Sequence, residues 1–344
     1  MCNEIKHITK VKITKLWGYE DLNFEWNLNP DVNILAGDNG SGKSIILNLI
    51  TGLLAGAENF PKEVNKFTDS IWVEFNNSST ISLEIVRDSR VNLEKKAEYD
   101  KLTREFLTHI KNREGEEEYQ NLKEIDISYP TVNGQPVKVG SEKLKNLIHV
   151  DSISTFDQPF FPIEVLRKLE GEDAETHLDL LIKRLEKKYL NYQVDIGKRA
   201  IEALSNGGGN AHSTRQQIDA NKNLFLDLID DLFSKTEKRI NRKLNEISFL
   251  RRQQDVISPY HLSSGEKQIL IILLTALVQD NRSAVMIMDE PEVSLHTDWQ
   301  ENLLDNIRKL NENVQIILAT HSPSVIINGW QDKVFETVDI QVKK

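Results

Sequence analysis

Cysteine is almost missing. Of 344 residues only Cys2 carries a thiol, so no internal disulfide can form, and the chain suits a reducing compartment with this thiol as a bystander. Long apolar runs are missing too. The longest, Ile269–Val278, is about half of what a membrane-crossing helix needs and contains Thr275, so it reads as a buried helix. The opening MCNEIKHITKVKITK is broken by charge every few residues and lacks the apolar centre of a secretory signal. These absences predict a cytoplasmic protein with no membrane domain of its own. Positive charge is in deficit. Against 53 Asp and Glu stand 43 Lys and Arg, a formal net charge of -10, which argues against a uniformly basic nucleic-acid coat while leaving room for a local patch.

What is present suffices for a sizeable core. Hydrophobic residues make up 39% of the chain, and the length fits two or three domains, or one domain carrying an insertion.

The most informative stretch is Gly37-Asp38-Asn39-Gly40-Ser41-Gly42-Lys43-Ser44, which satisfies the phosphate-binding pattern G-x-x-x-x-G-K-[ST] at every specified position. Its context is the required one. Asn33–Ala36 is a short apolar run suited to a buried strand, and Ser44–Leu54 is apolar enough for a packed helix, so the glycines fall at a strand-to-helix turn. Backbone N–H groups of this loop and the helix N-terminus would close around phosphate oxygens. Lys43 would reach the β- and γ-phosphates, and the Ser44 hydroxyl would bind Mg²⁺.

Before the loop, Ile8, Val11, Ile13 and Leu16, then Leu22, Phe24, Trp26 and Leu28, suggest two strands joined at Gly18–Asp21. Trp17 and Tyr19 in this stretch read as core aromatics rather than adenine contacts. After it, Ser70–Phe75 and Thr80–Val86 read as strands around an Asn76–Ser79 turn, an antiparallel edge beside the nucleotide core. Residues 87–125 are strongly charged, with Glu114–Glu118 a solvated loop. Leu147–Ser154 returns to strand character. From Ile163 to Leu204 and from Thr214 to Ile247, Leu and Ile recur at helical spacing. The break at Ser205–Asn210 makes a flexible tip, so the two helices would form an antiparallel hairpin with arms of about 45 to 60 Å at about 1.5 Å per residue. The expected division is an N-terminal lobe over 1–160, the helical hairpin over 161–250 and a C-terminal lobe over 251–344.

The hairpin holds the main basic content. Lys183, Arg184, Lys187, Lys188, Lys198 and Arg199 lie on its first arm; Lys235, Lys238, Arg239, Arg242, Lys243, Arg251 and Arg252 lie on or just after its second. A DNA or partner contact and an ordinary solvated face both fit this pattern.

Ala284–Met288 is an apolar run of the kind buried on both faces of a parallel sheet, and it ends in Asp289-Glu290. Ligands bind outside the carboxyl ends of such strands. Asp289 can hold Mg²⁺ through its water shell, and Glu290 can polarise a water for attack on the γ-phosphate.

Three further segments carry a family resemblance. Leu262-Ser263-Ser264-Gly265-Glu266-Lys267-Gln268 resembles the ABC signature, Asp289-Glu290-Pro291-Glu292 the ABC Walker B, and Ala319-Thr320-His321-Ser322-Pro323 the switch-histidine segment, in that order. The wording Glu290-Pro291-Glu292-Val293-Ser294-Leu295-His296 is similar to the soluble ABC ATPases related to OLD nucleases, RecF and SMC proteins. The match covers the two ends of the chain; the middle resembles only the variable insertions of that group. It departs in placing Ser264 at the first signature glycine and His296 at the aspartate position of a transporter's D-loop.

The resemblance implies an α/β P-loop NTPase fold of ABC type, with a mostly parallel core sheet, an antiparallel N-terminal β subdomain and an inserted α-helical hairpin. It implies hydrolysis of ATP with Mg²⁺, with His321 donating to the γ-phosphate and Gln158 as the Q-loop residue that links Mg²⁺ to the insertion. It also implies a homodimer or higher oligomer in which each P-loop sandwiches nucleotide against the partner's signature segment, Ser263 to Glu266, at a helix N-terminus suited to anions. Relatives of this shape serve as sensor ATPases in phage defence beside a separate nuclease or toxin. Only 23 residues follow His321, so the TOPRIM domain of OLD nucleases would have to be supplied by another chain. The competing expectation is a DNA-repair or DNA-organising ATPase that clamps duplex. A transporter subunit fits least, because of the long insertion.

Overall fold

The computed structural model describes residues 4–55, 68–86, 127–137, 147–154, 176–205, 211–251 and 255–342. Gln158, the Glu114–Glu118 run and positions 206–210 of the hairpin tip lie outside them. The chain forms two compact units, Met1–Val150 with Phe335–Lys344, and Asp151–Val334.

In chain order the first unit runs β1 (Ile8–Thr14), β2 (Phe24–Asn27), β3 (Val32–Ala36), α1 (Lys43–Leu54), β4 (Ser70–Phe75), β5 (Thr80–Val86), β6 (Ile127–Val132) and β7 (Gln135–Pro136). Six of these strands make an antiparallel sheet in the order β2-β1-β4-β5-β6-β7. Alternation explains its faces: Ile71, Val73 and Phe75 of β4 are buried in every second position. Val11 lies opposite Trp26 on one side and Val73 on the other, while Lys10 and Glu25 form an ion pair at 2.7 Å. Helix α1 is apolar over most of its girth, burying Ile46, Leu47, Leu49, Ile50, Leu53 and Leu54, and it packs on β4 and β5. Tyr19 corrects the expectation of a core aromatic. It is 61% exposed, because Lys15 and Trp17 take left-handed backbone (φ 51° and 56°) and turn the segment outward.

The second unit is bounded by β8 (His149–Ser154) and β14 (Val334–Glu336). Between them come α2 (His177–Ser205), α3 (Ala211–Leu232), β9 (Lys238–Ile240), β10 (Phe249–Arg251), β11 (Asp255–Ile257), α4 (Ser264–Val278), β12 (Ala284–Asp289), α5 (Thr297–Glu301), α6 (Leu303–Leu310), β13 (Val314–Ala319) and α7 (Pro323–Ile326). Helix α4 is its centre. Every residue from Gly265 to Leu277 is buried, and α2, α3 and α6 all pack against it. From Ile269 on it is apolar nearly all round and has no solvent face to offer, so it is enclosed. Strands β12 and β13 run parallel in register, Ala284 opposite Val314 through Asp289 opposite Ala319, and both are buried along their whole length. Among the described residues no helix is long and apolar enough to cross a membrane.

The second arm of the hairpin is shorter than its spacing predicts. Ile240, Leu244 and Ile247 mimic a helical face, but α3 ends at Leu232 and Glu237 turns left-handed with φ 55°. The chain then forms the antiparallel sheet β9-β10-β11, in which Ile240 lies opposite Phe249. Phe233 anchors this change by stacking near Phe249 and Trp299, with ring centroids 5.4 and 5.9 Å apart. Leu244 is left 51% exposed.

Candidate nucleotide site

In the first unit, the buried strand β3 delivers the loop Gly37–Gly42, and α1 begins at Lys43. Gly42 is the N-cap, with φ 94°, and a Cβ there would lie 3.0 Å from Leu16 Cδ2, so this position needs glycine both for its backbone and for the space. It also leaves α1 without a side-chain cap. The first N–H groups of the helix are thus open to an acceptor from outside the chain. Lys43, 6% exposed, folds back so that its ammonium donates to the carbonyls of Gly37 and Asp38 at 2.9 and 3.0 Å. Asp38, Asn39 and Gly40 are exposed at the loop tip, and Ser44 is half-buried on the first turn of α1. The buried Ser41 hydroxyl has no hydrogen-bond partner among the described residues. An uncapped helix start, a cation held in the loop and an unsatisfied hydroxyl are what a bound polyphosphate would complete, so this segment fits the ligand its motif implies.

In the second unit, the ends of β12 and β13 place the two catalytic candidates together. Asp289, 6% exposed, closes β12, and the N–H of Glu290 donates to the Ala319 carbonyl at 2.9 Å. Glu290 then turns left-handed, with φ 47°, an unusual conformation for a residue bearing a Cβ. His321, two residues past the end of β13, has its Nε2 3.7 Å from Glu290 Oε1, with both side chains partly exposed. Glu292 lies beneath them. It accepts from the Thr320 hydroxyl and from the His321 N–H at 3.1 Å. His296 is exposed and caps α5, accepting from the Asp298 N–H at 3.4 Å.

The signature segment opens α4 in the same unit. Ser263 is the N-cap of a reciprocal capping box: its Oγ accepts from the Glu266 N–H at 3.4 Å, while Glu266 Oε2 accepts from the Ser263 N–H at 2.9 Å and its hydroxyl at 3.0 Å. Ser263 and Ser264 are exposed at the helix end. Gly265 is not. A Cβ on it would meet the Ser294 carbonyl oxygen at 2.2 Å, so the turn after β12 rests directly on the signature helix.

Glu266, named among the nucleotide-binding candidates, is enclosed within the unit. It is 1% exposed, and besides Ser263 its carboxylate holds the Lys238 ammonium at 2.7 Å on both oxygens and the Thr236 hydroxyl at 2.8 Å. Burial pushes this carboxyl up, but the Lys238 ammonium, the Ser263 N–H and the two hydroxyls outweigh it and hold it below the usual carboxylate range. Its task is therefore to brace Ser263 from below. The next residue, Lys267, makes a second enclosed ion pair with Asp179 at 2.7 Å, their side chains 10% and 2% exposed. Asp179 also accepts from the N–H and hydroxyl of Thr176 at the start of α2. Burial pushes Asp179 up, and Lys267 and Thr176 more than reverse it. Sequence reasoning did not name Asp179, and it named Lys238 only among the basic residues and Glu292 only within the Walker B wording; the S-x-x-E spacing of Ser263 and Glu266 was a readable local signal for the box itself.

Comparison with known proteins places the chain in a family and a fold. Residues 32–328 match the family described as "AAA domain, putative AbiEii toxin, Type IV TA system". The chain is similar to the retron Vc95 probable ATPase of Vibrio cholerae serotype O1 biovar El Tor, 23% identical and covering 91% of this chain and 70% of the relative. It is also similar to the retron Ec83 probable ATPase of Escherichia coli, at 21% identity over 92% and 69%. Among solved structures, the Smc head domain with an extended coiled coil derived from Pyrococcus furiosus, bound to the C-terminal domain of ScpA, shares the fold with a TM-score of 0.53. It is 13% identical, over 94% of this chain and 92% of that one. With the P-loop of residues 37–44 inside a match over most of its length, the chain belongs to this AAA-domain family and has the fold of a P-loop ATPase of ABC type.

Proposed function

We propose that this chain is an Mg²⁺-dependent ATPase that pairs on ATP and controls a separate effector, a nuclease or toxin, in anti-phage defence. The observation that carries the hydrolytic reading is the Glu290–His321 pair at the ends of two parallel strands, in a chain whose P-loop helix starts without a side-chain cap. Lys43 and the loop N–H groups bind the phosphates. Glu290 takes the proton of the attacking water, and His321 donates to the γ-phosphate oxygen as charge builds there. Mg²⁺, when bound, neutralises phosphate charge. The residues proposed to hold it are the Ser44 hydroxyl, the Asp289 carboxylate and Gln158, with phosphate oxygens and water completing its shell. The exposed Ser263 and Ser264, with the N–H groups of the first turn of α4, face the nucleotide held by a second copy.

The effector role draws on the wording of the motifs and on the likeness to two retron ATPases. DNA clamping draws less support. Arg242 is tied to Asp227 and Asp230, Lys188 to Asp151, Arg199 to Asp280 and Lys235 to Asp298, so much of the basic hairpin charge is answered within the chain. The single thiol suits the reducing, cytoplasmic setting proposed for it.

The test is sedimentation of the Glu290→Gln protein with and without ATP, beside steady-state turnover. The substitution keeps nucleotide binding, lowers turnover by about 10²- to 10⁴-fold and shifts the protein to dimers on ATP. Lys43→Ala loses binding. A Glu290→Gln protein that stays monomeric with saturating ATP refutes nucleotide-driven pairing, and one with undiminished turnover refutes the assignment of the base.

A further inference from the structure

Glu292 is a buried acid without a role in the chemistry described so far. It is 8% exposed, in the turn that leaves β12, and an apolar residue would fill the same space without the cost of burying a charge. What distinguishes it is the donors it gathers. One carboxylate oxygen accepts both the Thr320 hydroxyl and the His321 N–H, the second bond at 3.1 Å. The other oxygen is enclosed and has no partner among the described residues. The same turn grips the far side of the histidine. The Gln300 amide donates to the Leu295 carbonyl at 2.9 Å, and its oxygen accepts from the Ser322 hydroxyl at 2.7 Å. The residues before and after His321 are thus both tied to the turn that begins at Glu290.

We propose that Glu292 is a positioning residue for ATP hydrolysis: it fixes the Thr320–His321 main chain so that the imidazole stays beside Glu290, and it touches no nucleotide. The inference rests on the ATPase reading above. A misplacement of about 1 Å at a reacting group costs up to about 100-fold in rate.

The experiment measures kcat, KM and equilibrium binding of a fluorescent ATP analogue for Glu292→Ala, Glu292→Gln, Thr320→Val, His321→Ala and the Glu292→Ala/His321→Ala pair. Glu292→Ala lowers kcat about 10- to 100-fold with KM and analogue affinity within about twofold. Glu292→Gln keeps most of the rate, because its amide oxygen accepts the same two bonds. Thr320→Val, which removes one donor and leaves the acid in place, gives a smaller fall in kcat of the same kind. In the His321→Ala background, Glu292→Ala lowers kcat no further, since its effect passes through the histidine. An equal loss in that background, a loss confined to KM, or a Gln variant as slow as the Ala variant overturns the proposal. If His321→Ala itself turns over normally, the catalytic reading of that histidine fails and takes the proposal with it. If His321→Ala is slow while Glu292→Ala and Thr320→Val are both normal, only the proposal fails.

Discussion

Lys238→Met is the sharpest test of how the signature helix is held. The ammonium lies 2.7 Å from Glu266, with side chains 14% and 2% exposed, so the substitution strands a carboxylate that water barely reaches. Breaking one side of a buried pair costs about 3 to 5 kcal/mol. Here the lower end applies, because Glu266 keeps the Ser263 N–H and two hydroxyls as donors. For a cooperative unit the size of residues 151–334, a loss of about 3 kcal/mol lowers Tm by about 6 to 12 °C. Differential scanning calorimetry reads this directly, and Lys238→Met/Glu266→Gln supplies the control. A neutral Gln needs no cation, so the double variant melts within about 1 kcal/mol of Glu266→Gln alone. A fall in Tm of less than about 2 °C for Lys238→Met, or strictly additive single effects, would refute the claim that this pair holds the capping box in place.

Two further outcomes follow from the same region. Gly265→Ala drives a methyl to 2.2 Å from the Ser294 carbonyl, and the overpacking costs about 1 to 3 kcal/mol; a urea midpoint equal to the parent's contradicts the close approach. Acid lowers stability through Asp179 and Glu266. Both are held below their ordinary values in the fold, so the unfolded chain binds more protons as pH falls past about 4, and their contribution, complete above that range, is lost through the depressed values. Urea midpoints between pH 7 and pH 3 measure the loss, which is smaller in Lys238→Met; equal slopes for parent and variant would remove Glu266 from the account.

What could be read in the chain was what is local. The P-loop, the α1 run and the buried strands β12 and β13 announce themselves in contiguous residues, because a glycine pattern and an unbroken apolar stretch each have few structural solutions. The end of α3 was misread for the same reason. Ile240, Leu244 and Ile247 carry a helical spacing, and only pairing with Phe249 and the aromatic contact to Trp299 override it. The partners of the signature were illegible. Nothing in Ser263–Gln268 names Lys238, 28 positions before Glu266, or Asp179 on another helix. Glu292 looks like any acid in a polar turn until Thr320 is brought against it. Likewise the basic residues of the hairpin fitted a partner contact and an ordinary solvated face equally in sequence, and the acids that Arg242 meets within its own neighbourhood at 2.7 Å are seen only in the fold.

Glu266 and Lys267 sit side by side in sequence yet are tethered to different places, one to the strand that follows α3 and the other to the foot of α2. A rod pinned at adjacent points to two supports can neither roll nor slip along its axis without dragging on both. The foot of α2 and the strand after α3 therefore both bear on the first turn of α4, the turn that Ser263 caps.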